Sequence, residues 1–328
     1  MEEDKTEGER TELAVSRGGA MSRKVRVASI SFPGVQGEGR ERWERAVKEL
    51  LEWVDRAVLD RPDIILVPEL APYLGTPLEE MVKFAQPVPG PLTEEFGGRA
   101  RKHGCYIWCP LVEETPEGLY NSAVLLGRDG EIVGTYRKAY PTIGEMEKGI
   151  LPGEGPVVLE TDFGRVGCII CFDLNFLELG WAYRDRGAEL ICFLSMFRGG
   201  LQLSIWAYIF RVFLASATPG ENSRIVDPLG RVLADSSQYG RFIWRDINLD
   251  SEVLHLDYNH EKFPEIKKKY GPEVSLEVAS PEGVFLMGSR GPFPVEDVVR
   301  EFGLETLDEY LDRARMERER RLRKVKAS

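Results

Sequence analysis

The sequence predicts an α/β fold of layered sheets with helices on the outside, on three observations. Segments with helical apolar spacing alternate with short apolar runs of strand length along residues 24–250. Hairpins interrupt that alternation, so the sheets are not purely parallel. Apolar residues make up 43% of the 328-residue chain, enough for a sizeable core.

The elements follow in order. Residues 24–30, Lys-Val-Arg-Val-Ala-Ser-Ile, alternate as a strand does. Residues 41–58 carry Trp43, Ala46, Val47, Leu50, Leu51, Val54 and Val58 at the spacing of an amphipathic helix. Residues 64–67 are a short apolar strand closed by Pro68-Glu69-Leu70, and helical pieces follow near 78–84 and 93–103. Residues 105–112 and 121–127 read as strands, and Arg128-Asp129-Gly130 turns the second into residues 132–136, which makes a hairpin. A loop rich in Pro and Gly spans 139–156. The apolar run 166–170 is a buried strand that ends at Cys171; a helix over 177–186 and a strand over 189–194 follow. Residues 201–215 are a mostly apolar helix or helix–strand unit, with Trp206-Ala207-Tyr208-Ile209-Phe210 as core packing. Residues 225–233 are strand–turn–strand, and 242–249 another strand.

Three regions result. Residues 1–23 are a charged lead without an apolar stretch, expected to be disordered and not a secretory signal. Residues 24–255 form the main domain, and residues 256–328 a partly helical extension. His255 and His260 are expected at the surface. The basic run 313–326 is expected to be a solvated helix end or a dimer strap.

Composition narrows the function. A net charge of −11 argues against a nucleic-acid binder and against docking on an anionic membrane. No apolar run reaches the length of a bilayer span. Cys105, Cys109, Cys168, Cys171 and Cys192 form no even framework and lie mostly in apolar strands, which suits a reducing cytoplasm. Cys168 and Cys171 do form a C-x-x-C, but a strand points them to opposite faces and no second metal-ligand pair exists. The three histidines, His103, His255 and His260, lie beside no signature that would bring them to Cys171.

Three titratable residues share one grammar. Glu69, Lys138 and Cys171 each follow an apolar strand. Alone, Glu69 reads as a cap or surface charge, Lys138 as a surface lysine, and Cys171 as a small buried hydrophobe. Together they differ, because strand ends of one layer converge on one edge. A thiol in a sharp turn before a helix can attack an acyl carbon, and the helix N-terminus would favour its thiolate. A carboxylate could deprotonate it, and a lysine could hold that carboxylate ionised and meet an oxyanion.

At these residues the chain resembles the nitrilase (carbon–nitrogen hydrolase) superfamily. The matching words are Ile64-Ile65-Leu66-Val67-Pro68-Glu69-Leu70, Tyr120-Asn121-Ser122-Ala123, Gly134-Thr135-Tyr136-Arg137-Lys138, Gly167-Cys168-Ile169-Ile170-Cys171-Phe172-Asp173, and Ser223-Arg224-Ile225-Val226-Asp227-Pro228-Leu229-Gly230. The resemblance implies a four-layer αββα sandwich and a homodimer or larger homo-oligomer. It implies Glu69 as general base, Lys138 as electrostatic support and Cys171 as nucleophile. Glu145, seven residues after the lysine, would be the family's second glutamate, and the Phe172 N–H an oxyanion donor. Neither a metal nor an organic cofactor is implied.

The expected function is thiol-dependent hydrolysis of a non-peptide carbon–nitrogen bond in a small amide or carbamoyl substrate, through a thioester. A nitrilase, and a catalytically reduced member serving as a binding subunit, are the alternatives. Three places depart from the pattern, one of them the helix at Trp206-Ala207-Tyr208-Ile209-Phe210, which lacks the family's charged Arg-Ala-x-Glu-Asn word. Asn175 stands where many amidase-type members carry an arginine for a substrate carboxylate, and Leu177 replaces their usual proline. Arg198 is the nearby cation that could substitute, so a carboxylate-bearing substrate is less expected.

Overall fold

The computed structural model describes residues 23–327. The expected disordered lead lies outside the described residues, apart from Arg23. The chain divides into two compact units, one over Lys24–Leu249 and one built from the chain after Leu249.

The first unit contains two six-stranded sheets. Its strands are β1 (Lys24–Ile30), β2 (Ile64–Leu66), β3 (Tyr106–Thr115), β4 (Gly118–Leu126), β5 (Ile132–Arg137), β6 (Val158–Glu160), β7 (Arg165–Ile170), β8 (Leu190–Leu194), β9 (Phe213–Ala217), β10 (Arg224–Val226), β11 (Val232–Asp235) and β12 (Phe242–Asn248). The first sheet has the order β12-β1-β2-β3-β4-β5 and the second β11-β10-β9-β8-β7-β6. β1, β2 and β3 pair in parallel, as do β7, β8 and β9, while β12, β4, β5, β6, β10 and β11 add to them antiparallel, β12 from far along the chain and the others through hairpins. The hairpins are what the sequence announced with Arg128-Asp129-Gly130.

The unit's helices are α1 (Gly39–Ala57), α2 (Leu78–Met81), α3 (Pro91–His103), α4 (Ile143–Glu147), α5 (Leu177–Asp185) and α6 (Leu201–Phe210). Alternation within each strand sorts the layers. In β1, Val25 and Val27 join the core between the sheets, with Leu66, Trp108, Val166 and Leu190. Ala28 and Ile30 face the other way, onto Leu50, Val54 and Phe96 of α1 and α3. On the far side, Leu179 and Tyr183 of α5 and Trp206 and Phe210 of α6 pack on the second sheet. The order is therefore helix, sheet, sheet, helix. α5 and α6 approach closely because Gly180 has no side chain: a Cβ there would stand 2.1 Å from the Phe210 ring.

Two ambiguous stretches resolve. Residues 201–215 are a helix followed by a strand, broken at Arg211, which takes the left-handed region at φ 55°. The Pro- and Gly-rich loop holds one short helix, α4, whose N-cap Thr142 accepts a hydrogen bond from the Glu145 N–H. All five cysteines are free, and Cys168 lies in register beside Cys192 inside the core.

The second unit is a three-stranded antiparallel sheet of β13 (Ser251–His255), β14 (Val274–Ala279) and β15 (Val284–Ser289), in the order β13-β15-β14. With it come α7 (Phe263–Tyr270), α8 (Val295–Glu301) and α9 (Leu307–Ala327). Leu254, Ile266, Phe285, Met287 and Val298 form its core. Residues 251–255, assigned above to the main domain, pair here with β15. His255 is not a surface residue: it is 3% exposed and its ring stacks on Tyr310 with centroids 4.0 Å apart. His260 is exposed as expected. The basic end of α9 is solvent-facing and laced with local pairs such as Arg320–Glu317 and Arg321–Glu317.

Candidate active site

β2, β5, β7 and β8 deliver their C-terminal ends to one edge of the first unit. Glu69 lies three residues past β2, Lys138 directly after β5, and Cys171 directly after β7. Glu69 is 3% exposed and Lys138 1%. A buried charge survives only when paired and hydrogen-bonded, and these are. The Lys138 ammonium donates to Glu69 Oε1 at 3.0 Å and to Glu145 Oε2 at 2.8 Å. Asn121 Nδ2 donates to the same Glu69 oxygen at 2.8 Å and to Glu145 Oε1 at 2.9 Å. The other Glu69 oxygen accepts the Met196 N–H at 2.9 Å, and Glu145 Oε2 accepts the Thr142 N–H at 2.7 Å.

The electrostatics follow from this packing. Burial alone would lower the Lys138 ammonium, but the charges of Glu69 and Glu145 raise it above its ordinary value. Burial pushes the Glu145 carboxyl up, but Lys138, Asn121 and the Thr142 N–H together hold it below the usual range. The Cys171 thiol is pushed up to about 12, first by burial and then by the Glu69 charge, against the opposing pull of Lys138. The thiolate expected from a helix N-terminus is therefore not the resting form. Cys171 opens a short 3-10 turn over Cys171–Asn175, and the weak dipole of that turn does not outweigh burial beside a carboxylate. The Glu69 carboxylate and the Ser195 hydroxyl both act on the thiol, the first raising it and the second lowering it.

Cys171 itself sits at φ 51°, in the left-handed region, where a residue with a Cβ is strained. The strained turn is braced by Asp173. Its buried carboxylate accepts the Ile170 N–H, the Tyr140 N–H and the Tyr136 hydroxyl, each at 2.8 Å. Tyr136 and Tyr140 flank Lys138, so one side chain locks the Cys171 turn to the lysine's strand end. Burial pushes the Asp173 carboxyl up to about 7 despite those three donors. A carboxyl that binds its proton more tightly when folded loses stability as pH rises. The expected result is an unfolding free energy that falls between about pH 4 and about pH 7, a slope that Asp173→Asn removes. Urea titrations of both proteins across that range check it; parallel curves would refute it.

The remaining candidates lie at the rim. Phe172 is half-buried and meets Phe176 edge-on at 5.4 Å, and Phe176 stacks on Tyr140 at 3.7 Å. Asn175 is exposed; its Nδ2 donates to the Phe172 carbonyl at 3.0 Å and its Oδ1 accepts from Gln202 at 3.1 Å. Arg198 is not brought into the buried cluster; it is 61% exposed and pairs with Glu221 at 3.0 Å. Sequence reasoning does not single out Asn121, Asp173 or Ser195 as site residues. Asn121 and Asp173 stand inside the quoted family words, and Ser195 obeys the same strand-end grammar as the triad. The Met196 N–H is a backbone donor and leaves no trace in sequence. Among the described residues, no group of three or more His, Cys, Asp or Glu side chains could hold a metal ion, and no helix is long and apolar enough to cross a membrane.

The sequence profile of the carbon-nitrogen hydrolase family matches residues 26–252. Human omega-amidase NIT2 is 24% identical over 263 residues, covering 72% of this chain and 93% of the relative. Omega-amidase NIT2 of Xenopus tropicalis is 27% identical over 255 residues, covering 69% and 90%. Among solved structures, Saccharomyces cerevisiae Nit3, a nitrilase-superfamily member, superposes with a TM-score of 0.61 at 19% identity, covering 78% of this chain and 98% of that one. An amidase from Nesterenkonia sp. gives 0.59 at 22% identity, covering 78% and 98%. With the αββα layering and a profile spanning most of its length, the chain belongs to the carbon-nitrogen hydrolase family of the nitrilase superfamily, as an amidase-like hydrolase.

Proposed function

We propose that the protein hydrolyses a small neutral amide or carbamoyl compound through a thioester on Cys171. The observation that carries this reading is the convergence of a carboxylate, an ammonium and a thiol from three strand ends, with Glu69 bound to Lys138 at 3.0 Å and its charge acting on the Cys171 thiol. Because the resting thiol keeps its proton, attack needs a base in contact with it. Glu69 takes the thiol proton as sulfur adds to the carbonyl carbon. The oxyanion that forms meets the Lys138 ammonium and the Phe172 N–H, each worth about 3 kcal/mol of barrier. The carbon–nitrogen bond then breaks, and Glu69 returns the proton to the departing ammonia or amine. Water, deprotonated by Glu69, cleaves the thioester and restores the thiol. Glu145 holds Lys138 through a second ion pair at 2.8 Å.

The substrate's charge follows from the rim. Arg198 is committed to Glu221, and Asn175 to Phe172 and Gln202, which supports a neutral substrate over the ω-amide of a dicarboxylic acid. Ammonia release across neutral amides, ω-amides of keto acids, carbamoyl compounds and nitriles tests this, with intact-mass detection of the acyl-enzyme. Neutral amides should exceed ω-amide acids by about tenfold or more in kcat/KM. The absence of any acyl adduct during turnover would overturn the covalent route.

A further inference from the structure

We infer that Asn121 is a positioning residue that holds the two carboxylates of the site together and keeps Glu145 from competing for the thiol proton. This rests on the proposed role of Glu69 as the base. Asn121 lies on β4 and is 1% exposed. One nitrogen, Nδ2, serves both glutamates, at 2.8 Å and 2.9 Å. Its backbone carbonyl accepts the Lys138 N–H at 2.9 Å, so the same residue fixes the lysine's backbone. The strands on either side are pinned to match: Glu113 of β3 accepts the Ser122 hydroxyl at 2.7 Å and both arms of Arg137, at 2.7 and 2.8 Å. Asn121 is therefore clamped from its neighbours before it touches the site.

The chemistry explains why an amide suits this place. Two carboxylates around one ammonium repel each other, and a single positive charge cannot cancel both. A second lysine would add a positive charge that lowers the proton affinity of Glu69, which must accept the thiol proton. A serine hydroxyl has one hydrogen and could serve one carboxylate only. The carboxamide NH2 has two hydrogens and no charge, one for each glutamate. Donation to a carboxylate favours its charged form, and Asn121 contributes in this way to holding Glu145 below the usual range. Glu145 thus stays ionised and leaves the proton transfer to Glu69.

The test compares two substitutions. Asn121→Leu keeps the volume and removes the donors; Asn121→Ala removes the donors and opens space that a water can enter. With a donor role, Asn121→Leu lowers kcat by about 10²-fold with KM within about threefold, and the acidic limb of kcat/KM moves to higher pH. Asn121→Ala then loses less, since a water can donate in place of the amide, but its acidic limb moves the same way. A merely volumetric role predicts the reverse: Asn121→Leu near the parent enzyme, Asn121→Ala worse, and no movement of the limb. Either of the first two results, or unmoved limbs in both variants, overturns the inference. Should Asn121→Leu fail to fold by circular dichroism, the pH profile of Asn121→Ala decides. Cys171→Ala run alongside separates the causes. Residual turnover there removes the thiol chemistry and this inference with it; an inactive Cys171→Ala beside an unaltered Asn121→Leu removes the inference alone.

Discussion

Replacing Cys171 with alanine is expected to lower kcat for amide hydrolysis by at least about 10⁴-fold, because in the proposed route the lost sulfur is the atom that bonds to the substrate. No other thiol can stand in. Cys105, Cys109, Cys168 and Cys192 are fully buried, and Cys168 and Cys192 sit side by side in the core. The fold should survive, since alanine keeps a Cβ at the strained φ and Asp173 still braces the turn. Single-turnover ammonia release and thermal unfolding, measured together, check both halves. A variant that still releases ammonia at the parent rate would end the thioester scheme. Loss of activity with an unfolded chain would leave Cys171→Ser to decide.

The second large effect belongs to Lys138→Met, which should cost about 10³-fold or more in kcat and about 3–5 kcal/mol of stability near neutral pH. The substitution leaves Glu69 and Glu145 buried beside each other with only Asn121 and backbone N–H groups as donors. The pH dependence has a definite sign. Lys138 is raised in the folded protein, so its contribution is present below its unfolded value of about 10.4 and is lost as pH climbs past that. Glu145 is lowered, so its contribution is present above about 4.3 and is lost on acidification. The parent enzyme gains from both across the range between. In Lys138→Met the charge that held Glu145 down is gone and burial remains, so one carboxyl takes up a proton. The variant should therefore recover stability as pH falls from about 8 to about 5, relative to the parent. Urea unfolding at both ends of that range measures it, and equal deficits at each end would refute the account.

How much of the site can be read from sequence depends on how local its causes are. Glu69, Lys138 and Cys171 each end an apolar run, and a polar residue there is visible without a structure. Glu145 is different. It stands in a Pro- and Gly-rich loop with no period, and only the family resemblance pointed to it. Its helix is five residues long and held by the Thr142 cap and by the Lys138 contact. Asn121 hides in a strand whose other residues look like ordinary filling. The expected thiolate failed for a related reason: the turn after Cys171 is local, but burial and the Glu69 charge come from across the fold. The helix–sheet layering was legible because alternation within each strand and the helical stripes agree. β6, with three residues, is too short to show a pattern. The second unit was the least legible part. β13 finds its partner in β15, and the ring that buries His255 belongs to Tyr310 on α9; neither pairing is marked by nearby residues.

Glu69 and Lys138 hang from one sheet, while Cys171 and the Met196 N–H hang from the other. A chain that has assembled only one of the two therefore carries no reactive constellation, whichever it builds first. On the proposed mechanism, chemical competence therefore waits until the two sheets have met face to face.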